Sequence, residues 1–134
     1  MRVATLPYRI IFGTPDLLPL CDVHVLGPRG RARVTSVLDT GAIYSVFPAR
    51  VAEDVGLPLP KSPNFTIQYG GSVTFGRRIR GHIELEQRRL DTEIVFVERL
   101  DLPFGLLGRR SIFSRFNEVV FLEKVRTPRV ELRW

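Results

Sequence analysis

The apolar stretches of this sequence are short, rich in β-branched and aromatic residues, and ended by glycine or proline turns, which points to a mostly β fold. "RVATLPYRIIF" (2–12) and "PLCDVHVL" (19–26) read as strands, and "GPRG" (27–30) turns the second into "RARVTSVL" (31–38) as a hairpin. "NFTIQY" (64–69) meets "SVTFGRRIRGHIELE" (72–86) across Gly70-Gly71, and "LDTEIVFVE" (90–98) follows. "EVVFLE" and "RVELRW" end the chain as strands around Thr127-Pro128. Antiparallel pairing is expected to dominate. Short helices are expected at "PARVAEDVGL" (48–57), with Pro48 as its first residue and Gly56 just past its end, and at "RRSIFSRFN" (109–117).

A chain of 134 residues with 44% hydrophobic content suits one domain, residues 1–134, around one core. The apolar runs near Ile10 and Leu17 are broken by Gly13, Pro15, Asp16 and Pro19, so neither suits a bilayer span or a secretory leader. A soluble protein without membrane partners is expected. Cys21 is the only cysteine, which rules out an internal disulfide and fits a reducing compartment such as the cytoplasm. Without catalytic context it reads as a small buried residue. His24 and His82 stand apart with no ligand at metal-binding spacing, so no metal or other cofactor is expected.

The net charge is +6, and of 20 basic residues only Lys61 and Lys124 are lysines, a bias that points to a GC-rich bacterial genome. The arginines fall in scattered pairs (Arg77-Arg78, Arg88-Arg89, Arg109-Arg110) and at alternate positions (Arg29, Arg31, Arg33), not in one block interleaved with aromatics. A solvated surface fits that texture better than a nucleic-acid interface.

The stretch "SVLDTGAIYSVFP" (36–48) sets an acidic residue at an apolar strand end. A carboxylate there is costly unless the fold hydrogen-bonds it. Thr40 offers a hydroxyl, and Gly41 lets the chain turn so that its amide points back at Asp39. Asp-Thr-Gly alone is weak evidence, since chance produces it often, and the alternative is that Asp39 merely caps a turn. The apolar residues before it, Ala42 after it, a helix behind it and a later apolar-apolar-glycine element make the signal more specific.

With "VLDTGAIYSVFP" (37–48), the glycine hairpin "QYGGSVTFG" (68–76) and "FGLLGRRSIFSRF" (104–116), the sequence resembles the retropepsin-like aspartic proteases, specifically their short bacterial and cellular branch. The resemblance runs from about Val23 to Phe121. It implies a closed, antiparallel β-barrel-like fold with one or two short helices, forming half of a pepsin-like enzyme. Asp39 would be the catalytic aspartate, Thr40 would lock two catalytic loops across a homodimer, and Gly41 would position substrate backbone. Ala42, Ile43, Tyr69, Gly70, Gly71, Ser72 and Val73 would contact a peptide or protein substrate. Leu106, Leu107, Gly108 and Arg109 would support the catalytic loop, with Val46, Phe104 and Leu106 lining pockets. Trp134 would be either frayed or, as the resemblance favours, packed in the dimer interface. The segment 1–19 is either a strand of the domain or a piece removed by self-cleavage.

Asp91-Thr92 is followed by Glu93, so the chain carries no second Asp-Thr-Gly, and two chains are needed for two carboxylates. In such a pair, one carboxylate draws a proton from water while the other protonates the scissile carbonyl oxygen. An endopeptidase working from acid to neutral pH is the expected activity. The sequence departs from the family where Ile43 replaces a polar residue, which leaves Arg109 without its usual acidic partner, and where Arg110 replaces Asp or Asn. Ser45 is a candidate substitute for the missing polar contact. These departures support an alternative: a dimerisation or peptide-binding module whose catalysis has decayed.

Overall fold

Strand propensity and turn chemistry produce ten strands and one short α-helix among the described residues. The computed structural model describes residues 1–11, 13, 15–69 and 71–134, with Tyr69 described in its backbone only. Phe12, which ends the first expected strand, lies outside the described residues; that strand spans Val3–Pro7 (β1).

Six strands close into a mixed barrel: β2 (Leu20–Gly27), β3 (Gly30–Leu38), β8 (Gly105–Leu107), β4 (Ser45–Pro48), β7 (Arg88–Val97) and β6 (Ser72–Leu85), with β6 returning to β2. Strand β5 (Phe65–Tyr69) extends beyond the closed ring on β6. Antiparallel pairs predominate as expected, but β3 pairs with β8, and β4 with β7, in parallel. A second sheet is formed by β1, β10 (Arg129–Arg133) and β9 (Glu118–Leu122), with β10 at its centre.

Alternation along β2 turns Cys21, Val23 and Val25 into the barrel, where they join Ile83, Leu85, Ile94 and Phe96. On β7 the last four residues are all buried, because Ile94 and Phe96 face this core while Val95 and Val97 join a second cluster with Val46 and Leu106. The terminal sheet seals the main core from below with Ala4, Leu6, Val130 and Leu132. The N-terminal segment therefore contributes a strand to the fold.

Helix α1 (Ala49–Val55) lays Ala49, Val51, Ala52 and Val55 against the barrel. Pro48 lies one residue before it, in extended conformation as the end of β4, and Gly56 closes it with φ 74°. The helix approaches so closely that a methyl group on Gly27 would sit 2.3 Å from the Val55 carbonyl oxygen.

The second expected helix is reduced to a 3-10 turn, Phe113–Arg115. The Gly108 carbonyl accepts from both Ile112 and Phe113, and Phe116 is already extended, so the chain leaves for β9 before a helical repeat is established. Ile112 and Phe116 are buried nonetheless. Trp134 packs within its own chain, edge-on to Phe116 at 5.4 Å, with the Arg88 guanidinium 5.0 Å from its ring centre.

Candidate active site

Strand β3 ends at Leu38, and the chain turns immediately at Asp39. The Gly41 amide donates to Asp39 Oδ1 at 2.8 Å, and the Ala42 amide donates to the Asp39 carbonyl at 3.1 Å. The sequence-expected turn is thus present, with the half-buried carboxylate held at its centre and Thr40 exposed beside it.

A second loop braces the first. The Asp39 amide donates to the Leu107 carbonyl at 3.1 Å, and the amides of Arg109 and Arg110 donate to the carbonyls of Ala42 (2.9 Å) and Ile43 (2.8 Å). Gly108 lies where the loops cross. A methyl group there would fall 2.4 Å from the Tyr44 carbonyl oxygen, so only glycine fits. Behind the crossing, buried Ser45 accepts from the Gly108 amide at 3.2 Å, and its own amide donates to Ser111 Oγ at 2.8 Å. Ser111 in turn donates to the Glu93 carbonyl and accepts from Thr92 Oγ1 through its carbonyl. Ser45 is therefore a bolt behind the site and does not supply the polar contact expected of it on the substrate side.

Asp39 opens into a cleft of about 550 Å³. Its floor is apolar, built from Val46, Val95 and Leu106 on three adjacent strands. One wall is the Gly41–Tyr44 loop, and the other is the β5 arm of the hairpin from Phe65 to Gln68. Ile43 lines the cleft with half its surface exposed (52%).

Of the expected hairpin contacts, Gly70 lies outside the described residues. Gly71 adopts φ 78° at the tip, where Tyr69 pairs with Ser72. Ser72 and Val73 are exposed and are not among the residues that line the cleft. Leu107 is in the main core, Arg109 supports the loop through its backbone, and Phe104 faces a separate cavity across the barrel with Arg33 and Arg50.

Tyr44 was not singled out by motif, although it is central to the rim. Its ring meets Phe65 edge-on at 5.3 Å, and its hydroxyl accepts from Arg78 at 3.4 Å and from Arg110 at 3.3 Å. Val95 carried a readable signal in the unbroken run "IVFV", which implies burial on both strand faces.

Several arginines that read as a solvated surface are ion-paired: Arg31 with Glu84 at 3.0 Å, Arg33 with Asp22 at 2.9 Å, and Arg77 with Glu98 at 2.7 Å. No helix among the described residues is long and apolar enough to cross a membrane.

No protein-family model and no curated protein matches the chain. Solved structures do. A retropepsin-like aspartic protease from Rickettsia conorii superposes with a TM-score of 0.71 at 16% identity, over 98% of this chain and 99% of the other. EIAV protease, in complex with the inhibitor HBY-793, superposes with a TM-score of 0.60 at 18% identity, over 83% of this chain and 99% of the other. The fold is retropepsin-like.

Proposed function

On this retropepsin-like fold, we propose that the chain is an aspartic endopeptidase that works as a homodimer, each protomer supplying Asp39. The observation that carries the proposal is a carboxylate fixed by the Gly41 amide in the lining of a cleft of about 550 Å³ with an apolar floor. One carboxylate cannot both activate water and protonate the carbonyl, and a two-fold axis near Asp39 provides the second from an identical chain. Thr40, exposed beside Asp39, is suited to hold the partner's loop.

In the proposed reaction, one Asp39 takes a proton from water as its oxygen attacks the scissile carbonyl carbon. The proton on the other passes to the carbonyl oxygen. The tetrahedral intermediate collapses with proton transfer to the amine nitrogen, and both products leave with the shared proton restored. Gly41 and Ala42 would present backbone to the substrate. The Gly70-Gly71 hairpin, with Tyr69, Ser72 and Val73, would close over the peptide as an added strand. Leu106, Leu107, Gly108 and Arg109 would hold the loop in register. We extend the proposal to the cytoplasm, since the one cysteine, Cys21, is a buried thiol and calls for no oxidising compartment.

One observation favours a peptide-binding module without catalysis: Ile43 puts an exposed apolar side chain in the cleft beside the catalytic turn. Cleavage of a diverse peptide library from about pH 4 to 7, at high protein concentration and beside Asp39→Asn, separates the two readings. The protease reading expects cleavage by the native chain and none by the variant. Peptide binding by both without cleavage would replace it with the module.

A further inference from the structure

We propose that Arg78 and Arg110, gathered at Tyr44 on the cleft rim, form an anion subsite that selects peptides carrying a Glu or Asp side chain near the scissile bond. The inference rests on the peptide-cleft reading above and names the substrate class it favours.

Both guanidiniums donate to the same neutral oxygen, the Tyr44 hydroxyl, at 3.4 Å from Arg78 and 3.3 Å from Arg110. These distances are at the long end for hydrogen bonds, and a phenol cannot neutralise two cations. Arg110 pairs with no carboxylate among the described residues. The acid nearest Arg78 is Glu93, 3.8 Å away and shared with Arg80 at 3.6 Å. Arg80 also takes Asp91, so Arg78, Arg80 and Arg110 face only Glu93 and Asp91. The rim therefore carries a surplus positive charge.

The arrangement is also built, not merely crowded. Arg78 is pinned by reciprocal bonds with Asn64: its amide donates to Oδ1 at 2.7 Å, and its carbonyl accepts from Nδ2 at 3.1 Å. Its guanidinium lies 5.1 Å from the Phe65 ring centre and 5.4 Å from that of Tyr44. Tyr44 and Phe65 both line the cleft, and the two guanidiniums, not themselves among its lining residues, are held at the Tyr44 hydroxyl, so a substrate side chain that reaches past this rim would meet them. A carboxylate has an oxygen for each guanidinium and replaces two long neutral contacts with charge-assisted ones. Asp39 in the same cleft repels a carboxylate next to the reacting bond, so the preference belongs to a side chain further along the peptide. Two-fold symmetry would repeat the rim, and hence the preference, on the other side of the bond.

The test uses peptide pairs that differ by Glu or Gln at each position around the cleaved bond. Cleavage is followed with the native chain, Arg110→Gln and Arg78→Gln, and binding of the same pairs is followed by fluorescence anisotropy with Asp39→Asn and Asp39→Asn/Arg110→Gln. A preference for Glu on the order of tenfold is expected at one position on each side, shrinking with added salt and collapsing toward parity in Arg110→Gln. Arg110 is exposed, so its replacement does not threaten folding. Cleavage without a Glu preference would overturn the subsite and leave the protease. A Glu preference in binding that depends on Arg110, with no cleavage, would sustain the subsite and overturn the protease. No Glu preference in binding, or one that survives in Arg110→Gln, would overturn the subsite.

Discussion

Gly108 is the residue that least tolerates change, because the atoms a side chain would meet are the backbone of Ile43 and Tyr44, which cannot rotate away. Gly108→Ala is expected to cost about 3 kcal/mol or more in urea denaturation. Gly81→Ala, whose methyl group would meet only the tip of Ile94 at 3.1 Å, is expected to cost far less. Cys21 makes a second residue-scale prediction. Burial pushes its thiol up to about 12, with neighbouring Asp22 and Glu86 acting the same way. The unfolded thiol ionises at its ordinary value near 9 while the folded one stays neutral, so stability should fall as pH rises between the two, by up to about 1.4 kcal/mol per unit. Urea titrations from pH 7 to 10 should show a shallower decline for Cys21→Ala. At this scale the Asp39-Thr40-Gly41 turn was legible because its chemistry is local. Ser45, Ser111 and Thr92 were not, because a serine reads as polar surface until a distant chain segment buries it.

Among the elements, long strands were legible and short ones were not. Strand β4 is four residues and β8 three, too brief for an alternating pattern, and both are buried by their neighbours. The second expected helix had the apolar spacing of a helix, but Phe116 is already extended and the chain leaves for β9 after a single 3-10 turn. The β6–β7 turn carried no glycine or asparagine to announce it. Leu85 pairs with Arg88 across a two-residue loop, Glu86-Gln87, whose φ values are 50° and 63°, the pattern of a type I′ turn. Residues with side chains occupy this region at a cost, so replacing Glu86-Gln87 with Asn-Gly is expected to raise stability by about 0.5–1 kcal/mol. Thermal unfolding checks it, and an unchanged or lowered midpoint would show that these side chains hold something the turn alone does not.

For the molecule as a whole, the sequence pattern pointed to a mostly β fold and only the family resemblance implied its closure, because the pairing that closes it, β2 with β6, joins strands far apart in the chain and has no local signature. The same holds for the parallel β4–β7 pair and the antiparallel β4–β8 pair that bring Val46, Val95 and Leu106 together beneath the cleft. The terminal strands pair within the chain through β1 and β10, and Trp134 packs against Phe116 of the same chain. The proposed dimer would bring the two Asp39 turns together with that sheet already formed within each chain. Subunit mixing tests whether each site needs a carboxylate from both chains. Native protein and Asp39→Asn, combined in equal amounts at fixed total concentration and allowed to exchange, should cleave a peptide substrate at about a quarter of the native rate, because about a quarter of random dimers carry both carboxylates. A rate of about half, falling in proportion to the native fraction, would mean that each chain acts alone and would contradict the shared site.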